Sequence, residues 1–173
     1  MPAEPKAIRM VDNIIAEIDQ EAETTRRLLD LVPEDQLGWR PHPKAMSLGQ
    51  LAMHIAALQG NIAELSINIT VEFTSLPPEP EAASCEEIGQ VFANSLRKAK
   101  EVLGSMDDAK AVEEWRLTKD GRTIFSSPRI AFWRAIMLNH NYHHRGQLST
   151  YLRQLNVPLP SIYGPSADVN PFA

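Results

Sequence analysis

Apolar residues recur along this chain at alternating steps of three and four over long stretches, the spacing that draws one apolar stripe along a helix. The pattern is cleanest at Leu48, Leu51, Ile55, Leu58, Ile62, Leu65 and Ile69. Ser47 and Gln50 precede it as a capping box, so a helix is predicted to start there. An earlier helix is predicted from about residue 5 to 32, with Val11, Ile14, Ile18, Thr25, Leu28 and Val32 inward and Pro33 as its stop. A third follows the Ser84/Glu87 capping pair to about 106, burying Ile88, Val91, Phe92, Ser95, Ala99, Val102 and Leu103. The last is predicted over 127–155, with Ser127 as cap, Pro128 in the first turn, and Asn156 before Pro158 as the stop. Its inward positions are Ile130, Trp133, Met137, His140, His144, Leu148, Tyr151 and Leu155. Two histidines therefore occupy a seam built for leucines.

The connections are long. Residues 33–46 hold Trp39, Arg40, Pro41, His42 and Pro43, a stiff polar connector in which His42, between two prolines, is a solvated loop residue. Residues 74–83, with Pro77, Pro78 and Pro80, carry the chain across one end of the helices. Residues 114–118 and 122–125 flank Lys119-Asp120-Gly121 and predict a short hairpin or extended crossover. Residues 158–173 are proline-bearing and aperiodic, an ordered but irregular tail. The expected fold is all-α: a four-helix bundle with long crossover connections in a single domain, 1–173, with a possible hairpin before the last helix.

Composition narrows the partners. A net charge of −5, a pI near 5.5 and no basic stripe argue against nucleic acid. No apolar run approaches the ~18 residues of a membrane span. The opening MPAEPKAIRM lacks the apolar core of a signal peptide. Cys85 is the single cysteine, so no disulfide framework is expected, and a reducing cytoplasm is the expected compartment. It follows Ser84 near a helix start, a setting that can lower a thiol pKa, although a small buried or half-buried apolar role is the simpler reading.

The chemistry lies in the histidines. His140 and His144, one helical turn apart, can aim their rings at one point, the way a helix offers two imidazoles to a metal. No Glu stands between them, so this is not the HExxH protease motif, and His143 points about 100° away around the helix. A third ligand must come from another helix. His54, in register with Asn61 and Asn68 on a polar edge, is the leading candidate. Burying such imidazoles without partners would cost on the order of 1–3 kcal/mol each. A di-iron carboxylate site would need Glu-x-x-His pairs, and none occurs. Asn61, Tyr142 and Gln147 are candidates to support the ligands from behind; Arg145 reads as a surface or dimer-face cation, and Tyr151 as core.

Several words of this sequence resemble the DinB family of helical metalloproteins: Trp39-Arg40-Pro41-His42-Pro43-Lys44, Met46 through Ile55, His140-Asn141-Tyr142-His143-His144-Arg145-Gly146-Gln147-Leu148, and Pro160 through Asp168. The resemblance implies a four-helix bundle with an up-down-down-up path, often a homodimer. It also implies three metal-binding histidines, which fall on His54, His140 and His144, and a zinc or nickel ion. Relatives with known activity include thiol-dependent S-transferases and an isomerase using low-molecular-weight thiols. The expected function is a metal-dependent thiol transferase or related hydrolase acting on a small-molecule substrate; the alternative is a non-catalytic, stress-related bundle with a structural metal. The residues do not choose the thiol or the substrate.

Overall fold

The computed structural model describes residues 8–75 and 80–172. The protein is mostly helical, as the periodicity predicts, with a small three-stranded sheet added. Helix α1 spans Met10–Leu29, α2 Leu48–Leu65 and α3 Cys85–Gly104. A short α4, Asp108–Val112, leads into strands β2, Glu114–Lys119, and β3, Arg122–Pro128; β1, Thr70–Glu72, lies between α2 and α3 in the chain. The last helical stretch is composite: α5, Arg129–Phe132, a π-helical segment, Trp133–Asn139, and α6, His140–Gln154.

The first three of the four predicted helices end sooner than their apolar patterns suggest. Helix α1 begins at Met10, its predicted first residues 5–7 lying outside the described residues, and the six inward positions named for it are all buried. Helix α2 stops at Leu65, and Ile69, which continued its seam on paper, is exposed on the way to β1. Its capping box forms as predicted: Gln50 N–H donates to Ser47 Oγ, and Ser47 N–H to Gln50 Oε1, both at 3.0 Å. At α3, Ser84 Oγ accepts from Glu87 N–H at 3.1 Å, but the Glu87 carboxylate accepts from Ala83 N–H instead of closing the box. Pro77 and Pro78 lie outside the described residues.

Strand pairing displaces the predicted start of the last helix. Ser127 and Pro128 belong to β3, where Ser127 faces Trp115 and Pro128 faces Glu114 in the antiparallel ladder. Ser127 therefore caps nothing, and its buried hydroxyl has no hydrogen-bond partner among the described residues. The hairpin turn is the predicted one: Asp120 and Gly121 both take positive φ, +50° and +72°, the two-residue turn that matches strand twist. β1 joins the other side of β2 in parallel, and its Glu72 accepts from Thr118 Oγ1 at 2.6 Å and from Asp120 N–H at 2.7 Å, clamping the turn.

The core lies between α1, α2, α3 and the composite helix. Helix α2 packs most extensively on α3, where Gly60 N–H donates to Ser95 Oγ at 2.7 Å. Trp115 fastens the sheet to the helices: it is buried, stacks on Phe132 with centroids 3.9 Å apart, and donates from Nε1 to Leu65 O. The last helix ends where the sequence places its stop, at Asn156 with φ +60° and Val157 N–H bonded to Leu152 O. The tail is ordered and irregular. Arg153 pairs with Asp168, whose carboxylate also accepts from Leu159 N–H at 2.8 Å.

Candidate metal centre

Helix α2 is apolar on most of its surface, and His54 sits among buried neighbours Met53, Ile55 and Leu58 on the side that packs against α6. Helix α6 opens with His140 directly out of the π segment. A π turn holds one more residue than an α turn. The stretch is therefore not one continuous α-helix, yet the inward positions predicted before His140 hold: Trp133 and Met137 are fully buried and Ile130 packs half-buried against the core.

The three imidazoles converge. Nε2 of His54 and Nε2 of His140 are 3.3 Å apart, Nε2 of His140 and Nε2 of His144 are 2.6 Å apart, and the ring centroids of His54 and His144 are 4.4 Å apart. One nitrogen from each lies within 4.8 Å of the others, and all three side chains are partly exposed. An ion about 2.0–2.1 Å from each nitrogen in tetrahedral geometry would hold them about 3.3 Å apart. The first pair already has that spacing; the second is tighter than two lone pairs tolerate without a proton or cation between them.

Gln147 decides which nitrogen His144 offers. The His144 Nδ1–H donates to Gln147 Oε1 at 2.9 Å, leaving Nε2 as the lone pair that faces the other rings. Gln147 Nε2 in turn lies 3.4 Å from Tyr151 Oη, which reaches Met46 O at 3.4 Å. Burial pushes His144 down to about 4, opposed by the Gln147 bond and reinforced by His54, His140 and His143. The ring is thus neutral at physiological pH, the form that binds metal.

Other residues singled out in the sequence fall elsewhere. Asn61 is exposed, seven positions along α2 from His54. Tyr142 turns toward α1 and donates to Glu17 Oε1 at 2.7 Å; burial first, then this bond, push its hydroxyl well above the ordinary tyrosine range. His143 is exposed and His42 lies exposed in its loop, accepting from Lys44 N–H. Tyr151 is core, edge-on to Trp39 at 5.5 Å. Cys85 is half-buried and donates to Val32 O at 3.2 Å; burial and Glu34 raise its pKa, the opposite of an activated thiol.

Arg145 corrects the reading as a surface cation. It is 2% exposed, bonded to Glu21 Oε2 at 2.7 Å and to the hydroxyl of Tyr163, with Thr25 Oγ1 at 3.3 Å. Glu21 also accepts from Tyr163 at 2.8 Å, so α6, α1 and the tail meet at one buried ion pair. A signal for it existed: Leu138, Asn141, Arg145, Leu148 and Leu152 repeat at steps of three and four, a second inward face on the same helix, and all five are buried. Asn141, on that face, is fully buried, and neither of its side-chain polar atoms has a hydrogen-bond partner among the described residues.

The comparisons with known proteins agree with one another. The DinB family model matches residues 8–169. The chain is 24% identical over 160 residues to the uncharacterized protein YrdA of Bacillus subtilis (strain 168), covering 91% of this chain and 90% of that protein. Its fold is similar to that of a DinB-like protein from Bacillus cereus ATCC 10987, with a TM-score of 0.67 at 22% identity over 88% of this chain and 97% of that one. A DinB-like protein, YjoA, from Bacillus subtilis gives a TM-score of 0.69 at 20% identity over 87% of this chain and 97% of that one.

Proposed function

The chain belongs to the DinB family, and from that premise we propose that it is a metalloprotein holding one divalent ion, zinc or nickel, on His54, His140 and His144. The observation that carries the reading is the donor set. Three partly exposed imidazole nitrogens converge, and among the described residues no fourth His, Cys, Asp or Glu joins them. A set of three neutral nitrogens leaves a coordination position for a solute, which separates catalytic from closed structural sites. An ion held there supplies Lewis acidity, lowering the pKa of a water or thiol in that position and polarising an electrophile beside it.

The residues around it have separable tasks. Gln147 holds His144 in the tautomer whose Nε2 faces inward, and the Tyr151–Met46 link steadies Gln147. Partial exposure of the three rings admits a small molecule from solvent. The reaction proposed is transfer of a low-molecular-weight thiol to a soft electrophile, or hydrolysis at the same position. The same reading takes the long helices as an up-down-down-up four-helix bundle, pairing as a homodimer in the cytoplasm.

Protein purified without chelator or histidine tag is expected to carry about one ion per chain. His54→Ala, His140→Ala and His144→Ala should each abolish it, His143→Ala should not, and Gln147→Ala should weaken affinity by about 10–100-fold. Metal-free wild type that cannot be reloaded with zinc or nickel would end the proposal. Catalysis is tested separately, by consumption of small thiols with an activated halide and by ester hydrolysis. Equal rates for loaded, metal-free and His140→Ala protein would leave the ion a structural brace.

A further inference from the structure

Arg129, the first residue of α5, is 3% exposed. Its Nε–H donates to Ser66 O at 2.7 Å, and Nη1 donates to Lys110 O at 2.8 Å and Glu113 Oε2 at 2.6 Å. These bonds satisfy carbonyls at the ends of α2 and α4 and one carboxylate. The remaining terminal nitrogen, Nη2, makes no hydrogen bond among the described residues. A desolvated guanidinium with two N–H groups left over is a strong anion donor.

The space beside it is a cavity of about 370 Å³, lined by Arg129 together with Ile67, Ile69, Met106, Lys110 and Glu113. Ile67 and Ile69 are large apolar side chains held 55% and 43% exposed at this cavity. Lys110 is exposed and has no ion pair among the described residues, so two cations face one carboxylate. The cavity is remote from the histidines: Ser66 lies twelve residues beyond His54, about 18 Å along a helix.

We propose that this cavity binds a small organic monoanion, a carboxylate carrying a short hydrocarbon tail. The carboxylate takes Arg129 Nη2, and the tail covers Ile67, Ile69 and Met106. One negative charge matches the excess of one cation. Inorganic phosphate fits less well, because Glu113 stands against a dianion and the apolar wall would be left bare.

Octanoate is the probe, titrated into the full-length protein and followed by amide shifts in a nitrogen-15 NMR spectrum. Saturable shifts are expected at residues 66–69, 106–113 and 129. Ile69→Glu and Lys110→Glu, both at exposed side chains, should each weaken binding by about tenfold or more while leaving metal content unchanged. Octylamine should not compete. Absence of saturation at millimolar octanoate, equal binding of octylamine or inorganic phosphate, or unchanged affinity in both variants would overturn the proposal. Failure of the metal proposal leaves this test untouched, since it is run equally well on metal-free protein.

Discussion

His144 loses protons more readily than an ordinary imidazole because its surroundings desolvate it and place other rings beside it. Its folded pKa of about 4 lies below the usual 6.5, so as pH falls the unfolded chain takes up the proton first. The contribution to stability is full above about 6.5 and is lost progressively as pH falls toward about 4. The ring is partly open to solvent, so the effect should be a fraction of the full linkage. Metal-free wild type should therefore lose urea resistance more steeply between pH 6.5 and 4.5 than His144→Gln does; parallel curves would contradict it. The same helix carries the opposite case in Arg145. Truncating it strands the Glu21 carboxylate in the interior, and Arg145→Met should cost about 3–5 kcal/mol in denaturant unfolding. Adding Glu21→Leu should recover most of that loss, and a double variant no better than the single would show that the pair is not the cause. The metal-ligand candidates were legible in the sequence because two polar residues broke an apolar seam at helical spacing. Arg145 stands on a second inward stripe, but a charged residue is read as exposed until its partner is known, and Glu21 lies 124 residues away.

Helices α1, α2 and α3 could be read from their stripes because each buries one face against neighbours of the same kind, and the buried positions are local in sequence. The hairpin turn was legible for a related reason: Asp-Gly tolerates the positive φ that a two-residue turn demands. β1 and α4 escaped notice. β1 is three residues long and exists through pairing with β2, more than forty residues later. The π segment leaves no mark in the pattern, since Trp133 and Met137 are buried on the inward side despite the wider turn. Gly60 is the element-scale feature with the sharpest consequence. A Cβ there would meet Ser95 Cα at 2.9 Å and Ser95 Oγ at 3.0 Å, so α2 and α3 touch backbone to backbone. Gly60→Ala ordinarily favours a helix, yet here it should destabilise by about 1–3 kcal/mol in urea unfolding. A neutral or stabilising result would mean the two helices can separate without loss.

At the scale of the whole molecule, the three histidines join elements that are far apart in the chain. His54 and His140 are separated by 86 positions, so an ion bound by both ties α2 to α6 in the native state and has no preformed site once the chain unfolds. Binding of that kind stabilises by an amount set by concentration over dissociation constant, about 2.7 kcal/mol at a hundredfold excess. For a chain of this length each kcal/mol moves the midpoint by roughly 2–4 °C. Zinc or nickel at that excess should therefore raise the thermal midpoint by about 5–11 °C. The rise should grow with the logarithm of free metal, vanish with chelator and be absent in His54→Ala. His143→Ala should keep it, which separates the converging set from a general attraction of surface imidazoles. Should His54→Ala show the full rise, the ion would be held by α6 alone. The link between the two helices would then be wrong even though the protein bound metal.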